Sequence, residues 1–186
     1  MSTIQNTLTY EEWLQKSGQE FDRRIAITEQ TLQEAVALAK QNQKDIGALT
    51  SSMGLVIEYM VGGGIVGQFQ DLGIDISSLS RDKTFGKRGT EESGQIDVFL
   101  ENGDLVILVE VKTKLTDDAV REHLERLEKY RLYGNEKRRI QGAVAGAVAP
   151  DNVIRFAQRQ GLYVIIQSDD TFDLVTPPEG FKAKEW

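Results

Sequence analysis

Two acidic residues and a lysine are spaced so that they could hold a cation and act on a water molecule. Glu110 directly follows five consecutive apolar residues at 105–109, Lys112 comes two residues later, and Asp97 lies in the preceding apolar segment. Burying Glu110 and Lys112 after such a run is costly unless they pair or bind something. Two neighbouring carboxylates repel each other, and a divalent cation such as Mg²⁺, which prefers oxygen ligands, removes that repulsion. A lysine beside them can position or deprotonate an attacking water, or stabilise charge developing on a phosphate.

A predicted β-hairpin places these side chains on one face of a sheet. The segments 96–100 and 105–112 are predicted to be strands, and the Asn-Gly pair between them is the strongest short hairpin signal. If that pair forms a two-residue turn, Asp97 faces Leu108 and Gln95 faces Glu110. Asp97 and Glu110 are then diagonal neighbours, roughly 5.5–8 Å apart at the backbone. A three-residue turn would instead send Asp97 to the opposite face.

The same three residues also have a purely structural interpretation. Glu110 and Lys112 could form a buried ion pair, or the charges could simply mark the exposed end of a strand. The residues alone leave this alternative open.

The surrounding elements predict an α/β domain. Thr116 is a typical N-cap, with Asp117 and Asp118 in the first turn of a helix and Gly134 past its end. The run at 105–109 is apolar on both faces, as expected of a central strand covered by helices on both sides. The predicted order is strands at 83–88, 96–100 and 105–112, a helix to 133, a strand at 142–148, a helix at 150–160, and strands at 163–166 and 172–175.

The strings GQIDVF at 94–99 and LVEVK at 108–112 resemble the PD-(D/E)XK nuclease superfamily. The resemblance covers about residues 50–170 and implies a restriction-endonuclease-like core, an α-β-β-β-α-β mixed central sheet flanked by helices. The family pattern has an acid on the second core strand and an acid-x-Lys on the third. The residue before the first acid, commonly proline in the family, is isoleucine here. A long helix ahead of such a domain looks like that of bacterial members rather than of a named restriction enzyme.

The resemblance implies a role for each matched residue. Asp97, Glu110 and the Val111 carbonyl would be ligands of Mg²⁺ or Mn²⁺, and Lys112 would be the catalytic lysine. Glu58, in the helix before the sheet, matches the acid that many members carry there and would complete the metal shell. The implied activity is metal-dependent hydrolysis of a phosphodiester bond in DNA.

Other polar residues have weaker assignments. Lys83, Lys87, Arg88 and Gln95 are candidates for contacting nucleic acid, although lysines also protect sheet edges. Tyr130 and Gln141 are loose candidates for the further polar residue that members place on the next helix. His123 stands among charged helix residues, which predicts a solvent-exposed position.

The N-terminal segment reads as a long helix with a heptad seam. Small or apolar residues recur at alternating steps of three and four from Ile25 to Val56, with Asn42 at one seam position. The seam predicts a coiled coil that makes the protein a homodimer; the alternative is an amphipathic helix folded back on its own domain. The predicted organisation is a helical segment at 1–50, the nuclease-like domain at 51–176 and a tail at 177–186.

The string GGGIVG at 62–67 matches the dinucleotide-binding pattern G-x-G-x-x-G. That motif needs a strand before it and a helix starting on it. The preceding residues continue a helical pattern instead, so glycines that turn the chain or let helices pack closely are the favoured interpretation.

Composition narrows the function classes. The 186 residues include no cysteine and one histidine, which excludes disulfides, thiolate nucleophiles and multi-histidine metal centres. A net charge of −7 argues against loose, non-specific nucleic-acid binding. No apolar run is long enough to span a membrane and no leader follows Met1, so we expect a cytoplasmic protein without membrane partners. The leading hypothesis is a magnesium-dependent DNA nuclease; the alternative is a non-catalytic binding or assembly module on a nuclease fold.

Overall fold

The structure, a computed structural model, describes residues 9–186 and divides after Thr50 into two compact units. The second unit, Ser51–Trp186, contains the predicted order of three strands, a helix, a strand, a helix and two strands. The elements are α1 (Tyr10–Gly62), α2 (Ile65–Asp71), β1 (Ser78–Phe85), β2 (Gly94–Glu101), β3 (Leu105–Lys114), α3 (Asp117–Tyr133), β4 (Arg139–Val148), α4 (Asp151–Arg159), β5 (Tyr163–Ser168) and β6 (Thr171–Leu174).

The six strands form one mixed sheet in the order β1-β2-β3-β4-β5-β6. The β3–β4 and β4–β5 pairs are parallel, and the other three pairs are antiparallel. Parallel neighbours need a crossover connection, which α3 and α4 supply. The central strand β3 is buried over its first seven residues because apolar clusters pack against both faces of the sheet.

The hairpin register differs by two residues from the predicted one. Asn102 N–H donates to the Leu105 carbonyl at 3.0 Å, so Gly103 and Asp104 are the central turn residues. The Asn102 side chain causes this shift, because its Oδ1 accepts from the backbone N–H groups of Asp104 and Leu105 at 2.9 and 2.8 Å. Val98 therefore pairs with Val109. A shift of two residues preserves which face each side chain occupies.

The first strand lies earlier in the chain than predicted. β1 ends at Phe85 because Gly86 turns the chain with a φ of +71°, and a Cβ there would collide with the Glu92 carbonyl. Lys87 and Arg88 therefore lie in the loop between β1 and β2. Within β1, Asp82 adopts a left-handed φ of 55° between two residues that keep their pairing with β2.

The glycines at 62–67 end one helix and start another. Residues 10–62 form a single helix, so the strand that a dinucleotide site needs before Gly62 is not there. Gly64, with a φ of +82°, precedes α2 and reverses the backbone conformation. A Cβ on Gly62 would overlap the Arg81 guanidinium, so this glycine permits close packing of α1 against β1.

The segment predicted as a tail, residues 177–186, belongs to the second unit. Phe181 packs against Tyr163 with ring centroids 5.3 Å apart, and backbone bonds of 3.0 Å join Lys184 to Gly161 and Trp186 to Ile140.

The long helix α1 has a different environment in the first unit. Every residue from 9 to 50 is exposed within the chain.

No single helix among residues 9–186 meets the length and hydropathy of a membrane span. The helices α1 and α2 together, bent by 40° at their break, meet both criteria.

Candidate active site

An open pocket lies where β2 and β3 pass under α3. Its walls come from the start of β2, the end of β3 and one face of α3, and its floor is the buried carboxylate of Glu110. Pocket residues are mostly charged or polar, as a site for an ionic ligand requires. They are Ser93, Gly94, Gln95, Asp97, Glu110, Lys112, Glu122, Glu125, Arg126 and Lys129.

Glu110 is the most buried charge in the pocket. Its side chain is 2% exposed, and its Oε1 lies 2.6 Å from Lys112 Nζ. Its other oxygen, Oε2, forms an ion pair with the Arg126 guanidinium of α3. A buried carboxylate needs such compensation, and here two cations provide it. Lys112 is 39% exposed and Arg126 is 26% exposed, so both cations also face the pocket.

Asp97 lies beside Glu110 on the neighbouring strand. The observed register, continued by one residue beyond the Val98–Val109 pair, brings Asp97 opposite Glu110 rather than opposite Leu108 as predicted. Asp97 Oδ2 accepts the Val111 backbone N–H at 2.8 Å. Burial raises the pKa of the Asp97 carboxyl above its usual value, although that hydrogen bond and the charges of Lys112 and Arg126 act in the opposite direction.

A third carboxylate, Asp82, extends this row onto β1. It sits between two residues that pair with Val98 and Ile96, and is therefore opposite Asp97 in the ladder. Gln95 Nε2 donates to Asp82 Oδ1 at 2.8 Å, which fixes the Gln95 side chain at the edge of the pocket. The charge of Asp82 also contributes to raising the pKa of Asp97.

Glu58 is near the site without lining the pocket. It lies on α1 within the second unit, and its side chain is partly exposed. Desolvation raises the pKa of Glu58, and the charges of Asp97 and Asp82 raise it further. Glu58 therefore lies within electrostatic range of Asp97 and Asp82.

His123 is buried between α3 and β3, and the prediction that it is exposed is wrong. Its side chain is fully buried on α3, with Nε2 3.1 Å from the Leu108 carbonyl oxygen. Desolvation lowers the pKa of His123 to about 4, so the ring is neutral at pH 7. Nδ1 has no hydrogen-bond partner within residues 9–186.

The candidates for contacting nucleic acid are dispersed. Gln95 lines both the main pocket and an adjoining hollow, and Arg88 lines that hollow. Lys83 lines neither, because its Nζ lies 3.5 Å from the centroid of the Phe99 ring. Lys87 is exposed in the β1–β2 loop and also lines neither.

The two loose candidates for a polar partner from the next helix lie away from the pocket. Tyr130 is 1% exposed and packs in the core against Phe85. Gln141 contacts Glu185 and Tyr163 at 3.3 and 3.4 Å. Gln141 lies away from the pocket because of its position on β4. Successive residues of a strand alternate between the two faces of the sheet, and Gln141 points to the face opposite Glu110.

Arg126 is the α3 residue that contacts Glu110, and it is not among the site residues predicted from the sequence. A usable signal existed in α3, where Val120, His123, Leu127 and Tyr130 recur at helical spacing and are all buried. Arg126 lies next to that stripe on the helix, so its side chain can reach the sheet while its guanidinium stays partly exposed to solvent. The sequence does not indicate Asp82 either, because its place opposite Asp97 depends on the true bounds of β1.

The donor chemistry of the pocket suits a hard cation. Mg²⁺ is commonly bound by one or two carboxylates and retained waters, and Asp97 and Glu110 provide two neighbouring carboxylates. Within residues 9–186 no three Asp, Glu or His side chains converge as a metal-binding group. A divalent cation at Glu110 would compete with Lys112 and Arg126 for the same oxygens.

Solved structures that are similar to this chain include three of low sequence identity. A repair endonuclease from Pyrococcus abyssi is 15% identical with a TM-score of 0.37, over 63% of this chain and 46% of that chain. A protein of unknown function is 12% identical with a TM-score of 0.42, over 67% and 62%. A complex of EndoMS with double-stranded DNA is 16% identical with a TM-score of 0.35, over 61% and 45%.

Each match extends over less than two thirds of the neighbour's own chain. No family model and no curated protein matches the sequence.

Proposed function

We propose that this chain is a metal-dependent phosphodiesterase with a restriction-endonuclease-like fold, which hydrolyses DNA in the presence of Mg²⁺ or Mn²⁺. The observation that carries the proposal is the meeting of Asp97, Glu110 and Lys112 at one open pocket. The resemblance of these two strand sequences to the PD-(D/E)XK superfamily gives the same three residues a function. The mixed sheet with helices on both faces agrees with that resemblance.

In this proposal Asp97, Glu110 and the Val111 carbonyl hold the cation. When bound, the cation supplies Lewis-acid polarisation of a phosphate oxygen. Glu58 is proposed as a further ligand that joins Asp97 and Glu110 only when the cation is bound, because it lies within electrostatic range of Asp97 and the three carboxylates do not converge in the structure. The Val111 N–H bond to Asp97 fixes the orientation of that carboxylate before substrate arrives.

The cations of the pocket have separate tasks. Lys112 Nζ is proposed to orient the attacking water or to balance negative charge that develops on the phosphate. Arg126 and Lys129 extend from α3 into the same pocket and offer positive charge to the phosphate oxygens. Glu122 and Glu125, which also line the pocket, oppose that attraction and limit non-specific binding of polyanions.

One observation favours the alternative, a binding or assembly module without catalysis. Glu110 already has both oxygens paired with cations of the chain, so its charge is compensated with no added ion. Under this alternative the Glu110–Lys112–Arg126 cluster holds α3 on the sheet and the pocket hydrolyses nothing.

Cleavage and metal binding distinguish the two functions. The full chain is titrated calorimetrically with Mg²⁺ and Mn²⁺, and is then incubated with plasmid DNA and with single-stranded and duplex oligonucleotides. The nuclease proposal expects metal-dependent cleavage that Asp97→Asn and Lys112→Met abolish. Lys114→Met is the matched control, because Lys114 lies on the same strand, is exposed and does not line the pocket.

Each outcome is informative. Saturable metal binding that Asp97→Asn removes, together with cleavage, supports the nuclease proposal. Cleavage that survives Lys112→Met identifies a contaminating nuclease or a different site. No metal binding and no cleavage, with or without a short duplex present, together with a large loss of stability in Lys112→Met, supports the assembly module.

A further inference from the structure

The first unit presents a long apolar helix face that nothing among residues 9–186 covers. Every residue of α1 from Tyr10 to Thr50 is exposed. Isolated helices gain little stability from propensity alone and normally depend on packing of an apolar face. Large apolar side chains more than 40% exposed include Leu14, Phe21, Ile25, Leu32, Ile46 and Leu49. A stripe of this kind normally marks a binding surface for another protein.

The exposed residues follow a heptad, which identifies the kind of surface. With Ile25 as an a position, a positions recur every seven residues through Leu32 and Ile46, and d positions include Phe21 and Leu49. These residues lie on one continuous helix, Tyr10–Gly62. We call the a and d positions from Phe21 to Leu49 the heptad seam.

We propose that the heptad seam packs against the same seam of a second copy, forming a parallel, in-register coiled coil. A surface hollow on the helix is lined by Phe21, Arg24, Ile25, Thr28 and Glu29. The first four occupy successive d, g, a and d positions, which are the four residues that form the hole for a partner's knob. The hollow therefore coincides with the position that a partner's knob occupies in a coiled coil.

Two polar features favour an identical partner in parallel register. Asn42 occupies a d position, where an in-register copy places the same amide opposite it, so the two side chains can hydrogen-bond each other. Arg24 at g and Glu29 at e are five residues apart, and in a parallel dimer this spacing brings opposite charges of the two chains together. An unrelated apolar partner would leave the Asn42 amide buried without a bond.

The middle of the heptad seam has small side chains at Ala35 and Ala39. Val36 and Leu38, at the flanking e and g positions, are 46% and 62% exposed within the chain. They add apolar surface where the core of the seam contributes least. The proposal rests on the first unit and is independent of the proposed nuclease function.

Mass in solution tests the association. Light scattering during size-exclusion chromatography of the full chain is expected to give twice the chain mass of 20.8 kDa. Ile46→Glu, at an a position, is expected to give monomer. Ile27→Glu is the matched control, because Ile27 is equally apolar and 54% exposed but occupies a c position outside the seam. A melting transition retained in both variants confirms that the second unit stays folded.

Disulfide trapping tests the orientation, and the natural chain has no cysteine to interfere. Thr28→Cys at a d position is expected to form a covalent dimer on oxidation, whereas Gln30→Cys at an f position remains monomeric on a denaturing gel. A monomeric wild type at tens of micromolar overturns the proposal. So does equal dissociation by Ile27→Glu and Ile46→Glu. A dimer that Thr28→Cys does not trap overturns the parallel register.

Discussion

Replacing Arg126 by methionine tests whether the Glu110 carboxylate depends on the cation that α3 supplies. The substitution keeps the apolar stem and removes the charge. Removing one partner of a buried ion pair typically costs about 3–5 kcal/mol, because the other charge stays buried. Here Lys112 remains 2.6 Å from Glu110, and Arg126 is itself 26% exposed. We therefore expect the free energy of unfolding to fall by about 2 kcal/mol at pH 7.

The assay is urea or thermal denaturation of the full chain at one fixed protein concentration, because association would make the midpoint depend on concentration. For a chain of this size a loss of about 2 kcal/mol corresponds to a decrease in Tm of about 4–8 °C. Arg121→Met is the matched control on the same helix, since Arg121 and its partner Asp118 are 56% and 90% exposed. That exposed pair should contribute less than about 1 kcal/mol.

A double mutant isolates the interaction. In a Glu110→Gln background the Arg126→Met substitution should cost much less, because no buried negative charge remains to be compensated. Additive effects of the two substitutions would refute the reasoning. An Arg126→Met loss no greater than that of Arg121→Met would also refute it.

Three further predictions concern stability. Because desolvation lowers the pKa of His123 to about 4 from an unfolded value of 6.5, the unfolded chain takes up the proton first as pH falls. Stability should thus drop by up to about 3 kcal/mol between pH 6.5 and 4, and His123→Leu should remove that part of the pH slope in urea titrations. Gly94→Ala should lower the free energy of unfolding by about 1–3 kcal/mol, because the added Cβ would lie 2.5 Å from the Phe85 ring. Gly103→Ala is the control in the same denaturation assay. It should be nearly neutral, because an added Cβ there has no atom within 4 Å. Asn102→Ala removes two hydrogen bonds within the β2–β3 turn and one to the Asp75 carbonyl, and should cost about 1–2 kcal/mol; an unchanged Tm would show that the turn does not depend on this side chain.

The sequence predicted the helices and strands of the second unit better than the pairing between them. Period-two and helical patterns are local, and Thr116 does accept from Ala119 N–H as the N-cap of α3. The hairpin register depended on one side chain, Asn102, whose bonds to the turn moved the central residues by one position. Asp97 and Glu110 nevertheless share a face, because that error changed the register by an even number of residues.

The environments of α3 residues were harder to predict. His123 looked exposed because its sequence neighbours are charged, yet it belongs to a buried stripe with Val120 and Leu127. The helical spacing of the apolar residues in α3 distinguishes a buried His123 from an exposed one, and this spacing is visible in the sequence. The contact between Arg126 and Glu110 was not available, since it depends on how far α3 is displaced along β3 when it packs on the sheet. That displacement is a tertiary quantity with no local signal in the chain.

The left-handed residue in β1 affects how this sheet meets other chains. β1 is an edge strand, and an edge strand with free backbone groups can recruit a strand from another molecule and begin aggregation. Asp82 interrupts the extended backbone at the middle of that edge. Only the four residues before Asp82 and the three after it remain in β conformation to pair with an incoming strand. Arg81 and Lys83 add charge on either side of the interruption. The same residue that extends the carboxylate row thereby protects the open edge of the sheet from strand addition.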